Sequence, residues 1–148
     1  NFIESLKKNF KNVTFEASRL EDIISGSGIS KIYETLTHEK LSAEEIFKKF
    51  LDKEPDALFV INGFIKSLSQ TLSDLALSFL PGKGILLAGS LSRSIYTHFN
   101  EQNFFKPFIN NNTGMHFDIL KNTPIGVITK ERTPLYGNLA FYKNLNKI

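Results

Sequence analysis

The sequence predicts an α/β fold, helix-rich with a small buried sheet. Three observations carry this. From Pro55 to about Leu80, apolar residues Leu58, Ile61, Ile65, Leu68, Leu72, Leu75 and Phe79 alternate in steps of three and four, which predicts one helix of roughly 25 residues, near 38 Å long. Gly84-Ile85-Leu86-Leu87-Ala88-Gly89 and Pro124–Thr129 are short continuous apolar runs closed off by Gly and Pro, the pattern of fully buried strands. The segments around them repeat apolar residues at helical spacing.

The remaining elements follow in order. Phe2, Ile3, Leu6 and Phe10 predict an amphipathic helix over residues 1–10, and Val13-Thr14-Phe15 a short strand. Ser18 and Glu21 have capping-box spacing ahead of a helical turn through Ile23 and Ile24. A helix from near Ser27 carries Ile29, Ile32, Tyr33 and Leu36, and Thr37–Lys40 is a polar connection. Ser42 caps a further helix with Glu44 and Glu45 in its first turn, where the dipole favours anions, and with Ile46, Phe47, Phe50 and Leu51 as its stripe. Pro81-Gly82 ends the long helix. Ser90 starts another, carrying Leu91, Ile95 and Phe99. Short helices are expected around Phe104–Phe108 and Phe117–Leu120, with a loop at Asn110–Gly114, and a terminal helix carries Leu135, Leu139, Tyr142 and Leu145.

The composition narrows the function. At 148 residues the chain fits one domain with one core, and Phe, Leu and Ile fill that core because there are 14 Phe and no Trp. A net charge of +3 with scattered lysines lacks the concentrated basic face of a nucleic-acid binder or a polybasic membrane patch. Lys66, Gln70 and Asp74 interrupt the long helix, so it is no transmembrane span. The absence of Cys removes disulfides and thiolate metal sites and is compatible with the cytoplasm. The chain opens on Asn1 inside an amphipathic pattern, so we expect a piece of a longer protein.

The stretch Leu20–Tyr33 concentrates the chemistry. It places the Glu21 carboxylate, the flexible Ser25-Gly26-Ser27-Gly28 turn and a fresh helix start within eight residues, a corner suited to a polar small molecule. Each part also has a purely structural reading: Glu21 as a capping carboxylate, the turn as a plain helix start, Gly89-Ser90 as a tight strand-to-helix turn. Ligands of open α/β sheets sit beyond the carboxyl ends of strands, here Gly89–Ser92. His38, His98 and His116 lack metal-ligand spacing and are assigned to surface or loop.

The order of motifs resembles the C-terminal part of bacterial glucokinases. The residues are Glu21 before Ile23-Ile24-Ser25-Gly26-Ser27-Gly28 and the Ile32-Tyr33 helix; the long helix leading into Gly84–Gly89; Asn103–Phe108; and Pro124–Thr129 followed by Pro134-Leu135-Tyr136-Gly137. The resemblance implies an ATP- and Mg2+-dependent hexose kinase acting on the glucose 6-hydroxyl, with a ribonuclease-H-like (actin-like ATPase) fold. Residues 1–148 would then be its large domain, without the N-terminal phosphate-binding domain. It also implies pairing as a homodimer. By position, Glu21 matches the carboxylate that binds sugar hydroxyls. Ser25, Gly26 and Gly28 match the family's Ser-Gly-x-Gly turn, and Gly89 and Ser90 its nucleotide-side turn.

The chain departs from the family where Ser90 replaces the second Gly of a Gly-Gly pair, which would crowd a nucleotide lying on the backbone. Pro134 and Ser27 stand where Gly and Pro are usual. No Gly-rich phosphate loop, Glu-Gly-Gly-His motif or Asp in an Asn-Asp context is present. No catalytic residue is therefore expected in this chain, and alone it should not transfer a phosphoryl group. The alternatives are a degenerate relative that binds sugar or a partner without catalysis, and an interaction module without a ligand.

Overall fold

A computed structural model describes residue 4, residues 18–109 and residues 113–145. The expected helix over 1–10 and strand at Val13–Phe15 lie outside the described residues, Glu4 apart.

The long helix is the spine. It spans Pro55–Phe79 (α3), as the stripe predicts. Pro55 occupies its first turn, and the Glu54 carboxylate accepts from the backbone N–H groups of Asp56 and Ala57. Around it pack Gly26–Thr37 (α1), Ala43–Leu51 (α2), a π-helical turn Glu101–Phe105, Lys106–Ile109 (α5) and Gly114–Lys121 (α6). The core joins Ile29, Ile32 and Tyr33 of α1 and Ile46 and Phe50 of α2 to Val60, Ile61, Phe64 and Ile65 of α3. Phe104, Phe108 and Leu120 close it.

The predicted stripe fails at its C-terminal end. Leu75 and Phe79 are exposed, whereas Ser69, Ser73 and Ala76 are buried. The small Ser69 lets the π-turn approach closely, and its hydroxyl donates to the Phe104 carbonyl. The wide turn is fixed by amides. Asn100 Oδ1 accepts from the N–H groups of Gln102 and Asn103, and Asn103 Nδ2 donates to Asn62 Oδ1 and to the His98 carbonyl.

Ile85–Leu87 (β1) and Ile125–Val127 (β2) form a parallel two-stranded sheet with Ile85 opposite Ile125. Neither strand is fully buried, contrary to the sequence reading: Leu86 is 72% exposed and the other strand residues are half-buried. With two strands, only the face bearing Ile85, Leu87 and Ile125 meets the core. After β1 the chain enters Ser90–Ile95 (α4) and a 3-10 turn, Tyr96–His98, and Phe99 stacks on Phe104 with ring centroids 4.0 Å apart. Gly89 makes the strand-to-helix turn at φ 125°, a backbone region that a side chain would strain.

The terminal helix is Thr133–Leu145 (α7), and none of its residues is buried. Among the described residues, no helix is long and apolar enough to cross a membrane.

Candidate functional site

Asp22, not Glu21, caps the turn at the head of this site. The chain forms a 3-10 turn over Leu20–Asp22. Asp22 Oδ2 accepts from the backbone N–H of Arg19 at 2.9 Å, the N–H of Ser18 at 3.0 Å and the Ser18 hydroxyl at 3.4 Å. The Arg19 and Ser18 amides hold its carboxyl below the usual aspartate range. The expected Ser18–Glu21 box is therefore shifted by one residue, because the tight turn starts at Leu20. The consequence lies at Glu21. Its side chain is exposed and makes no hydrogen bond or ion pair among the described residues.

Ser25 ties the turn to the helix behind it. Its hydroxyl donates to the Glu21 carbonyl at 2.7 Å and accepts from Gly28 N–H at 2.9 Å. A hydroxyl has one proton to give, so the 2.9 Å contact with Ser27 Oγ is donated by Ser27. Gly28 is buried against the turn: a Cβ there would lie 2.6 Å from the Asp22 carbonyl oxygen and 3.2 Å from that of Glu21. Gly28 is thus required by close backbone approach, and it fixes the position of Glu21 relative to α1.

Gly26, the first residue of α1, faces elsewhere. A Cβ there would meet Ala43 Cβ at 3.7 Å, an ordinary contact. Here opens a cleft of about 330 Å³, lined by Gly26, by Ala43, Glu44, Phe47 and Lys48 of α2, and by Ser90, Leu91 and Ser94 of α4. That volume lies at the lower end of the about 300–1,000 Å³ of small-ligand sites. The starts of α1, α2 and α4 converge on it, gathering the positive ends of their dipoles around one space. Phe47 supplies an apolar wall, held by Phe50 (centroids 5.5 Å apart, 25° between planes) and by the edge of His98 (5.5 Å, 74°). His98, expected at the surface or in a loop, is instead half-buried against Phe47 and Phe50 because those rings offer it an apolar seat.

On α2 the two glutamates have separate roles. Glu45 Oε2 accepts from the Ser42 hydroxyl at 2.6 Å and the Ser42 N–H at 2.8 Å. The same two donors lower its pKa. Glu44 is exposed at the cleft and has no partner among the described residues.

The structure brings Gly26 and Ser90 together on this cleft. Glu21, Ser25 and Gly28 form the adjoining corner and do not line it, and Gly89 acts one residue behind Ser90 through its backbone. Sequence reasoning missed Glu44, Phe47 and Lys48. The signal was there: Ser42 and Glu45 complete a capping box, which leaves Glu44 and Lys48, one turn apart, free of that role. A larger cavity of about 460 Å³ lies between α3 and the π-turn, lined by residues that include Phe59, Asn62, Lys66 and Asn103. None of the candidate binding residues read from the sequence lines it. The amides of Asn62 and Asn103 are spent on each other and on backbone carbonyls, so the smaller cleft is the stronger candidate. Among the described residues, no three His, Asp or Glu side chains gather as metal ligands.

Comparison with known proteins bears on the same segments. A family model described as "Glucokinase" matches residues 1–145. A glucokinase of Mesorhizobium japonicum (strain LMG 29417 / CECT 9101 / MAFF 303099) is 28% identical over 131 residues, covering 84% of this chain and 38% of that protein. The crystal structure of a glucokinase from an Antarctic psychrotroph superposes with a TM-score of 0.73 at 22% identity, covering 97% of this chain and 44% of the other. The chain thus spans less than half the length of these relatives.

Proposed function

The chain belongs to the glucokinase family, and we propose that it is the C-terminal, large-domain portion of an enzyme that transfers a phosphoryl group from ATP to the 6-hydroxyl of glucose. We assign it to the ribonuclease-H-like, actin-like ATPase fold, its two strands forming part of a larger sheet.

The observation that carries this reading is the free carboxylate of Glu21. Asp22 takes over the capping bonds, so Glu21 keeps both oxygens for sugar hydroxyls. Ser25 and Gly28 hold it in place. The cleft of Gly26, Phe47 and Ser90 would take the nucleotide, with Mg2+ arriving on its phosphates, since that ion keeps water and phosphate ligands rather than needing a protein cage. Phosphoryl transfer depends on positioning and charge neutralisation. This chain supplies sugar and nucleotide positioning, and the general base and phosphate loop come from elsewhere in the intact protein. Leu135, Leu139 and Leu145 of α7 are each more than half exposed, and a further domain would cover them.

A second reading, a sugar-binding relative without catalysis, is favoured by one residue: Ser90 lines the cleft where the family has Gly. The intact protein separates the readings. Glucose binding by calorimetry together with ATP-dependent formation of glucose 6-phosphate supports the kinase; binding without turnover supports the second reading; neither overturns both.

A further inference from the structure

We propose that the cavity between α3 and the π-turn is a second small-molecule site, one that takes an organic carboxylate with an apolar body. It shares no lining residue with the cleft of Gly26 and Ser90, and the inference does not rest on what that cleft binds.

Two unusual features build this cavity. Gly63 lies in the middle of the 25-residue helix α3, where glycine costs helix stability relative to alanine. It sits one turn from Phe59 and one turn from Lys66, and all three line the cavity. A side chain at 63 would take up its space. The other wall is the π-helical turn Glu101–Phe105, a wide turn of a kind that is rare and recurs at functional sites. Amide bonds fix that wall: Asn103, only 8% exposed, donates to Asn62 Oδ1 at 3.0 Å and to the His98 carbonyl at 3.1 Å. The result is a preformed space of about 460 Å³, within the about 300–1,000 Å³ of small-ligand sites.

The lining selects the ligand. Lys66 is the one charged residue among the described residues that line the cavity, and it is exposed there without a hydrogen bond or ion pair. Glu101, the acid of the π-turn, does not line it. An entering anion therefore meets an uncompensated ammonium and no carboxylate among these residues. Gln102 is bonded through its backbone N–H alone, so its exposed carboxamide can donate to a second ligand oxygen. Leu58 and Phe59 supply the apolar part of the lining. Phe59 and Lys66 are seven residues apart on α3, about 10 Å along the axis, so the ligand carries its charge a short chain away from its ring. A single cation suits a single carboxylate rather than a polyphosphate.

The test uses 3-phenylpropionate and its neutral isostere 3-phenylpropanamide, titrated into the intact protein and followed by NMR. Probes of this size should bind wild type with a Kd of about 1 mM, and saturating glucose and ATP should not displace them. The carboxylate should bind about fivefold more tightly than the amide, the upper range for an ion pair with an exposed lysine. Lys66→Met keeps the apolar stem and should bring that ratio close to one, with the unfolding midpoint unchanged. Gly63→Leu should abolish binding of both probes. Lys66 is exposed, so its variant carries the test even where Gly63→Leu fails to fold. Displacement of the probes by glucose or ATP, a carboxylate preference that survives Lys66→Met, full binding by a folded Gly63→Leu protein, or failure of wild type to bind either probe overturns the proposal.

Discussion

Gly26 and Gly28 are two residues apart in one turn, yet replacing each by Ala should act in opposite directions. An Ala at either position raises helix propensity, a gain of about 0.5–1 kcal/mol. At Gly28 the new Cβ would lie 2.6 Å from the Asp22 carbonyl oxygen, 0.8 Å short of the 3.4 Å at which ordinary contact begins. The obstacle is backbone, which cannot rotate away as a flexible side chain can. Helix α1 must lift off the 3-10 turn, stretching the Ser25 bonds to Glu21 and Gly28. Overpacking of this kind costs about 1–3 kcal/mol, so Gly28→Ala should destabilise by about 1–2 kcal/mol net. With a urea m-value of about 1.5 kcal/mol per molar, the midpoint falls by about 1 M. Gly26→Ala meets only Ala43 at 3.7 Å and should leave the midpoint unchanged or slightly raised. In the intact protein, Gly28→Ala should raise the KM for glucose by displacing Glu21, and Gly26→Ala should raise the KM for ATP by narrowing the cleft. A Gly28→Ala protein as stable as wild type would refute the claim that α1 rests on the turn.

Two further outcomes follow from the same geometry. The carboxyl of Asp22 has its pKa lowered in the fold from its ordinary 3.8. Its stabilising effect is therefore fully present above that value and is lost as pH falls through the lower folded value. Urea unfolding of wild type and Asp22→Ala should differ at neutral pH and converge in acid; a gap that stays constant down to strong acid would exclude Asp22 as the cap. For α7, Leu139→Asp should leave the stability of this chain alone within about 0.5 kcal/mol, as at exposed sites generally. The same change should lower the melting temperature of the intact protein if the proposed further domain packs on α7, and equal effects in both would show that nothing packs on it.

The sequence was most readable where one local cause dominates. The α3 boundaries follow from Glu54-Pro55 and Pro81-Gly82 around an uninterrupted stripe, and α2 from its capping box. Readability failed where tertiary contacts decide. Leu75 and Phe79 look like core by spacing, but the buried arc shifts to Ser69, Ser73 and Ala76, and Ser69 bonds the π-turn at the Phe104 carbonyl. The strands read as buried because their residues are apolar, while the two-stranded sheet leaves Leu86 uncovered. At the site, Glu21 and Asp22 are adjacent carboxylates, and a one-residue difference in where the turn starts decides which one caps. Gly26 and Ser90, singled out by their motifs, both line the cleft. Phe47 passed as an ordinary stripe residue, because a helix's neighbours determine which of its apolar residues border a cleft.

The central claim is that Glu21 is free to hold a sugar, and steady-state kinetics of Glu21→Gln in the intact protein test it most directly. The side chain is exposed and unpaired among the described residues, so the substitution should leave the unfolding midpoint where it was. Loss of charge-assisted bonds to sugar hydroxyls should raise the KM for glucose by about tenfold or more while the KM for ATP stays unchanged. Wild-type glucose affinity and rate in Glu21→Gln would contradict the account.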